Sequence, residues 1–150
     1  MVTGAGERHH LRLMLRTVLI VDDHVEFRAS ARALLEADGF IIAGEAPDGE
    51  TAIRLAGELR PEIVLLDIAL PGIDGFAVAE QLALVADPPA VVFVSSRERM
   101  AYGRRIDAAP ARGFLSKRQL SGAAVTALVG LASVAHTCWV SSPWRSSWAD

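Results

Sequence analysis

The sequence contains a single cysteine, Cys138, which excludes an intrachain disulfide and a thiolate metal cage. That usage fits a reducing compartment without establishing one. There is no basic excess either: the formal net charge is −3, so no global positive field exists for gripping nucleic acid. Internal repeats and long low-complexity segments are absent. Arg8, Arg12 and Arg16 precede an apolar run as in a secretory leader. Val18 to Val21 is too short for its hydrophobic region, however, and Asp22-Asp23 ends it. Residues 1–16 therefore read as a polar N-terminal extension. One stretch, Ala123 to Val140, lacks every charged residue and approaches a membrane span in length. Leu120, Ala124, Ala127, Leu128 and Leu131 recur there at helical spacing, diluted by Gly130, Ser133, His136 and Thr137. The expectation is a packed terminal helix and no membrane partner.

What is present is material for one core. Of 150 residues, 51% are hydrophobic and 22% charged, which suits a single ordinary domain. Short apolar runs alternate with longer amphipathic ones. Thr17–Asp22, Phe40–Ala46, Glu62–Asp67, Ala90–Val94 and Gly113–Ser116 read as strands, rich in β-branched and apolar residues. A helix from His24 to Asp38 carries Phe27, Ala31, Leu34 and Leu35 on its apolar face and stops at Gly39. Asp48 can cap a second helix, with Ala52, Ile53, Ala56 and Leu59 inward and Pro61 beyond it. A third runs from about Phe76 to Val85, after the turn signals Pro71-Gly72 and Asp74-Gly75. The fourth, Arg97 to Asp107, is weaker, with Gly103 inside it and few apolar anchors. The last spans Gln119 to about His136, and Ser141 to Asp150 reads as a Ser-rich tail.

Five βα units in succession require parallel strands and right-handed crossovers. Nearly continuous apolar strands require cover on both sheet faces. The expectation is a doubly wound α/β fold of five parallel strands and five helices. In such folds the site lies beyond the carboxyl ends of the strands.

Those ends collect chemistry. The first strand ends in Asp22-Asp23, the third in Asp67, the fourth in Ser95-Ser96, and the fifth just before Lys117. Each is ordinary alone, because an acid there is usually a helix cap or a solvated loop residue. Together, three crowded carboxylates repel one another unless a cation sits among them. Mg²⁺ fits, since it accepts oxygen ligands and keeps waters for a phosphate. Histidine is missing from the strand ends apart from His24, so zinc is a poor candidate. A carboxylate, a cation, a lysine and a hydroxyl form a phosphoryl-transfer constellation, in which the carboxylate can be the nucleophile.

Val18-Leu19-Ile20-Val21-Asp22-Asp23, Leu65-Leu66-Asp67 with Pro71-Gly72 and Asp74-Gly75, Val94-Ser95-Ser96, and Gly113-Phe114-Leu115-Ser116-Lys117 resemble the receiver domain of bacterial two-component response regulators. The resemblance spans about Thr17 to Gly130 and is nearest to receivers of LuxR-type regulators, which carry a helix-turn-helix output domain. It implies a flavodoxin-like sheet of strand order 2-1-3-4-5, with the receiver at 17–136 and a tail at 137–150. It also implies that Asp67 is phosphorylated by a sensor histidine kinase in the cytoplasm. Asp22, Asp23, Asp67 and the backbone carbonyl of Ala69 match the Mg²⁺ ligands, Asp23 being the better candidate for direct ligation. Ser95 and Lys117 match the residues that engage the phosphoryl group. Phe114 matches the aromatic switch residue that turns inward when Ser95 moves.

Arg118 follows Lys117 where many receivers have a cis proline, so a trans bond is expected. Phe114 has an equally good reading as a buried core aromatic, and Ser96 as a small residue giving access. His9-His10 reads as a solvated tail, and Arg104-Arg105 as a solvated helix face. Trp139, Trp144 and Trp148 are candidate anchors for a partner. A phosphatase of haloacid-dehalogenase type needs an acid two residues after the nucleophile; Ala69 stands there, so external turnover is not expected. A pseudo-receiver that only binds is disfavoured by the complete set of Asp22, Asp23, Asp67, Ser95 and Lys117. Only 33 residues follow Lys117, too few for a DNA-reading domain of roughly 60 residues. The expected output is a downstream protein partner or homodimer, without direct nucleic-acid binding.

Overall fold

The computed structural model describes residues 16–129. The tail, Cys138, the three tryptophans, His9-His10 and the predicted end of the last helix lie outside these residues.

The strands are β1 (Thr17–Val21), β2 (Ile41–Ala46), β3 (Ile63–Asp67), β4 (Ala90–Ser95) and β5 (Gly113–Ser116). They form one parallel sheet in the order β2-β1-β3-β4-β5, as the resemblance implies. The helices are α1 (Val25–Ala37), α2 (Gly49–Leu59), α3 (Gly75–Ala83), α4 (Arg104–Ala108) and α5, helical over residues 122–129.

Side chains alternate across the central strands, and two cores result. Leu19, Val21, Val64, Leu66, Val91 and Phe93 face Ala52 of α2, Phe76, Val78, Ala79 and Leu82 of α3, and Ile106 of α4. Val18, Ile20, Ile63, Leu65, Val92 and Val94 face Ala31 and Leu35 of α1 and Val125 and Val129 of α5. This is the period of two expected of a strand whose faces are both covered. Each fully buried Val, Leu, Ile or Phe contributes about 1.5–3 kcal/mol, so the central strands are the most firmly held part of the fold.

The caps explain two helix starts. Asp48 accepts the Thr51 amide at 2.8 Å, as its sequence position predicts. Asp74, read from the sequence only as a turn marker, accepts the Ala77 amide at 3.0 Å and starts α3. Gly75 packs so closely on the preceding loop that an added Cβ would lie 2.5 Å from the Asp67 carbonyl oxygen. Only glycine fits there.

Several expectations need correction. The Arg97–Asp107 helix is two pieces: a 3₁₀ turn at Arg99–Ala101 and α4 from Arg104. Gly103 separates them at φ +57°, a conformation that no regular helix contains. The last helix does not start at Gln119, because Lys117–Gln119 is a 3₁₀ turn and helix resumes at residue 122. Ala127 points outward, and Val125 and Val129 take the inward positions instead. Leu34 and Leu59 are at 36% and 41% exposure, on the margins of their faces rather than inside. The fourth strand extends one residue further, to Ser95, while β1 stops short of Asp22. No peptide bond among the described residues is cis, so Lys117–Arg118 is trans.

Candidate functional site

The sheet order places β1 and β4 on either side of β3, and β5 beside β4. Their carboxyl ends therefore deliver Asp22-Asp23, Asp67, Ser95 and Lys117 to one edge. Asp22 is completely buried and Asp67 is 3% exposed, whereas Asp23 reaches solvent. Ligand atoms of Asp22, Asp23, His24 and Asp67 all lie within 4.8 Å of one another.

Lys117 Nζ stands 2.6 Å from Asp22 Oδ2 and 3.7 Å from Asp67 Oδ2. The resemblance pairs this lysine with the phosphoryl site, yet its nearer anion here is the more deeply buried Asp22. The Phe27 ring of α1 lies 4.6 Å below the same ammonium and helps hold it over the site. At 2.6 Å, Lys117 and Asp22 form a close ion pair inside the site. Asp22 Oδ1 accepts the backbone N–H of His24 at 2.8 Å.

Three carboxylates face one ammonium in a mostly dry corner. Burial pushes the Asp67 carboxyl up to about 6, and the Asp22 charge pushes the same way. Lys117 and the Ala69 amide oppose the shift, and Asp23 adds to it. The Ala69 N–H, two residues after the acid, donates to Asp67 Oδ1 at 3.3 Å and ties the loop to that carboxylate. Carboxylate oxygens of Asp22, Asp23 and Asp67 within 4.8 Å of one another, together with a raised acid, fit a small hard cation whose ligands are oxygens.

The structure thus brings together Asp22, Asp23, Asp67 and Lys117. Ser95 ends β4 and is buried, but its Oγ is engaged with Tyr102 Oη at 2.6 Å and accepts the Arg97 amide at 3.0 Å. Phe114 is half-buried and borders the α2–α3 core, its ring centroid 6.1 Å from that of Tyr102. Ser96 is exposed.

Sequence reasoning missed three residues. His24 Nδ1 is 3.1 Å from Asp22 Oδ1 and 3.2 Å from Asp23 Oδ1, and its adjacency to the acidic pair was the available signal. Phe27 entered only as a core residue. Tyr102 carried no signal, because it lies in the segment whose helical phase is broken.

The family model for the response regulator receiver domain matches residues 18–128. Response regulator GacA of Pseudomonas aeruginosa is 36% identical over 101 residues, covering 67% of this chain and 47% of that protein. The chain spans about half the length of the curated relatives it matches. A two-component response regulator of the LuxR family from Aurantimonas sp. SI85-9A1 superposes with a TM-score of 0.69 at 26% identity, covering 77% of this chain and 86% of that one. A chain of the CheX–CheY–BeF3–Mg²⁺ complex from Borrelia burgdorferi gives a TM-score of 0.66 at 26% identity, covering 79% and 89%.

Proposed function

This chain belongs to the response-regulator receiver domain family of two-component systems, and from that premise we propose that Asp67 accepts a phosphoryl group from a sensor histidine kinase. The observation that carries the reading is the buried Asp67 carboxylate, clustered with Asp22 and Asp23 and 3.7 Å from Lys117. A carboxylate oxygen of Asp67 attacks phosphorus, the bond from phosphorus to the donor's imidazole nitrogen breaks, and an acyl phosphate forms. The freed electron pair stays on that nitrogen, which takes up a proton.

Asp22, Asp23, Asp67 and the Ala69 carbonyl would hold Mg²⁺. When bound, the ion supplies positive charge against the developing phosphoryl oxygens. Lys117 supplies the second cation and, released from Asp22, neutralises a phosphoryl oxygen. Ser95 donates a hydrogen bond to another, and Phe114 follows its movement. Ala69 places no acid or base two residues after Asp67, so the site holds its phosphoryl group and does not turn over external substrates. The domain is assigned to residues 17–136 and its place to the cytoplasm. Its output is a protein-interaction surface, used with a downstream protein or a second copy, and the chain itself does not bind DNA. None of its described helices is long and apolar enough to cross a membrane.

The test is intact-mass spectrometry after incubation with acetyl phosphate, with and without Mg²⁺. One added phosphoryl group is expected, dependent on Mg²⁺ and absent in Asp67→Asn. Equal labelling of that variant and the parent would reject the assignment.

A further inference from the structure

Ser95 is 2% exposed, yet its hydroxyl is fully engaged on one side. A serine hydroxyl has one proton and two lone pairs. The Arg97 amide occupies one lone pair at 3.0 Å. Tyr102 Oη lies 2.6 Å away. A phenol is a stronger acid than an aliphatic alcohol and the better donor of the two, so Tyr102 fills the second lone pair. The Ser95 proton is then its single uncommitted valence.

The Tyr102 ring is wedged between two others. Its centroid lies 5.9 Å from Phe76 of α3, edge-on, and 6.1 Å from Phe114 of β5. The backbone of Tyr102 closes the Arg99–Ala101 turn and precedes Gly103, whose positive φ separates that turn from α4. Beyond Tyr102, the segment is held by little. Ile106 is the single buried residue of α4; Arg105 stacks 4.1 Å over the Phe76 ring, and the remaining ties are exposed ion pairs, Arg99 with Asp107 and Arg105 with Asp74 at 3.5 Å. Such pairs contribute little to stability.

We propose that Tyr102 is a positioning residue for the phosphoryl-transfer site: its hydroxyl orients Ser95 and carries the position of Ser95 into the Arg99–Ala108 segment. Phe114 lacks a hydroxyl and cannot make this link. The inference rests on Asp67 being the phosphoacceptor. When Ser95 donates its hydrogen bond to a phosphoryl oxygen and shifts toward it, Tyr102 Oη loses or re-forms its contact, and the weakly held segment moves with it.

Tyr102 is the only tyrosine in the chain, so replacing tyrosine by 3-fluorotyrosine gives one fluorine resonance. That resonance should shift beyond its linewidth on adding Mg²⁺ with beryllofluoride, a phosphoryl surrogate. Ser95→Ala should displace it beforehand and abolish the response. Tyr102→Phe keeps the ring packing but loses the hydroxyl. It should raise amide exchange across residues 99–108 severalfold in the unphosphorylated chain, with the thermal midpoint nearly unchanged. A stationary resonance in a chain that gains phosphoryl mass from acetyl phosphate overturns the Tyr102 proposal alone. So does exchange in Tyr102→Phe equal to the parent. A chain that gains no mass overturns the Asp67 reading, and the proposal falls with it.

Discussion

Asp67 is held in a setting that opposes its own ionisation, and that has a measurable consequence for stability. Its folded pKa of about 6 lies above the ordinary 3.8, chiefly through burial and then the Asp22 charge. Between these values the folded chain binds more protons than the unfolded one, so stability falls as pH rises through that window. Above pH 7 the whole penalty is present, on the order of 1–3 kcal/mol at 1.36 kcal/mol per pKa unit. Asp67→Asn removes the titration. In metal-free buffer it should stabilise the fold by that amount at pH 8 and by much less at pH 4, read from urea midpoints; an equal effect at both pH values would contradict the burial argument. A second residue-scale prediction concerns lifetime. An acyl phosphate is lost when water attacks in line, and a polar side chain two residues after Asp67 or Ser95 could orient that water. Ala69 offers none, and Arg97 is exposed with its amide tied to Ser95. Phosphorylated parent should outlive an Ala69→Asn, Arg97→Glu variant after donor removal with Mg²⁺ present. Equal decay would exclude shielding by Arg97 and leave Asp67 untouched.

Elements deliver these residues, and Gly75 shows how narrowly. A Cβ at this position would meet the Asp67 carbonyl oxygen at 2.5 Å and the Ile68 Cα at 2.7 Å, both backbone atoms that cannot rotate aside. Gly75→Ala should therefore push the start of α3 from the end of β3 and displace Asp67. The expected cost is about 1–3 kcal/mol of stability, as for other overpacking, with slower labelling by acetyl phosphate. Unchanged stability and labelling would mean that the loop yields freely. The sequence showed this region as turn chemistry, but not that Asp74 caps the helix or that Gly75 is a contact. The pattern of what was legible is physical. β1, β3 and β4 are buried through nearly their whole length, so their composition announces them. The α4 region makes too few apolar contacts to impose a period, so Gly103 breaks it and the tyrosine beside the break stayed hidden. The carboxylates and lysine were readable because strand ends fix their place. The Ser95–Tyr102 bond was not, since it depends on a loop conformation that no spacing encodes.

At the scale of the molecule, two cores clamp the sheet from both faces while its carboxyl edge gathers charge that neither core can neutralise. Asp22, Asp23 and Asp67 carry three negative charges when ionised, and Lys117 returns one positive charge. The fold thus stores repulsion at one rim and withstands it through burial elsewhere. A divalent cation held there relieves that repulsion in the folded chain and has no assembled site in the unfolded one, so its binding becomes folding free energy. Mg²⁺ at a hundredfold excess over its dissociation constant should add about 2.7 kcal/mol, or roughly 5–15 °C in melting temperature for a domain of this size. The gain should be larger at pH 8 than at pH 5, because below about 6 Asp67 holds a proton that a cation must displace. Asp23→Ala should diminish the gain more than Asp22→Ala, since Asp23 is the reachable carboxylate and Asp22 is committed to Lys117 and the His24 amide. The measurement is differential scanning calorimetry against Mg²⁺ concentration at both pH values. A gain that is equal at pH 5 and pH 8, or that survives Asp23→Ala in full, would place the cation elsewhere than among these carboxylates.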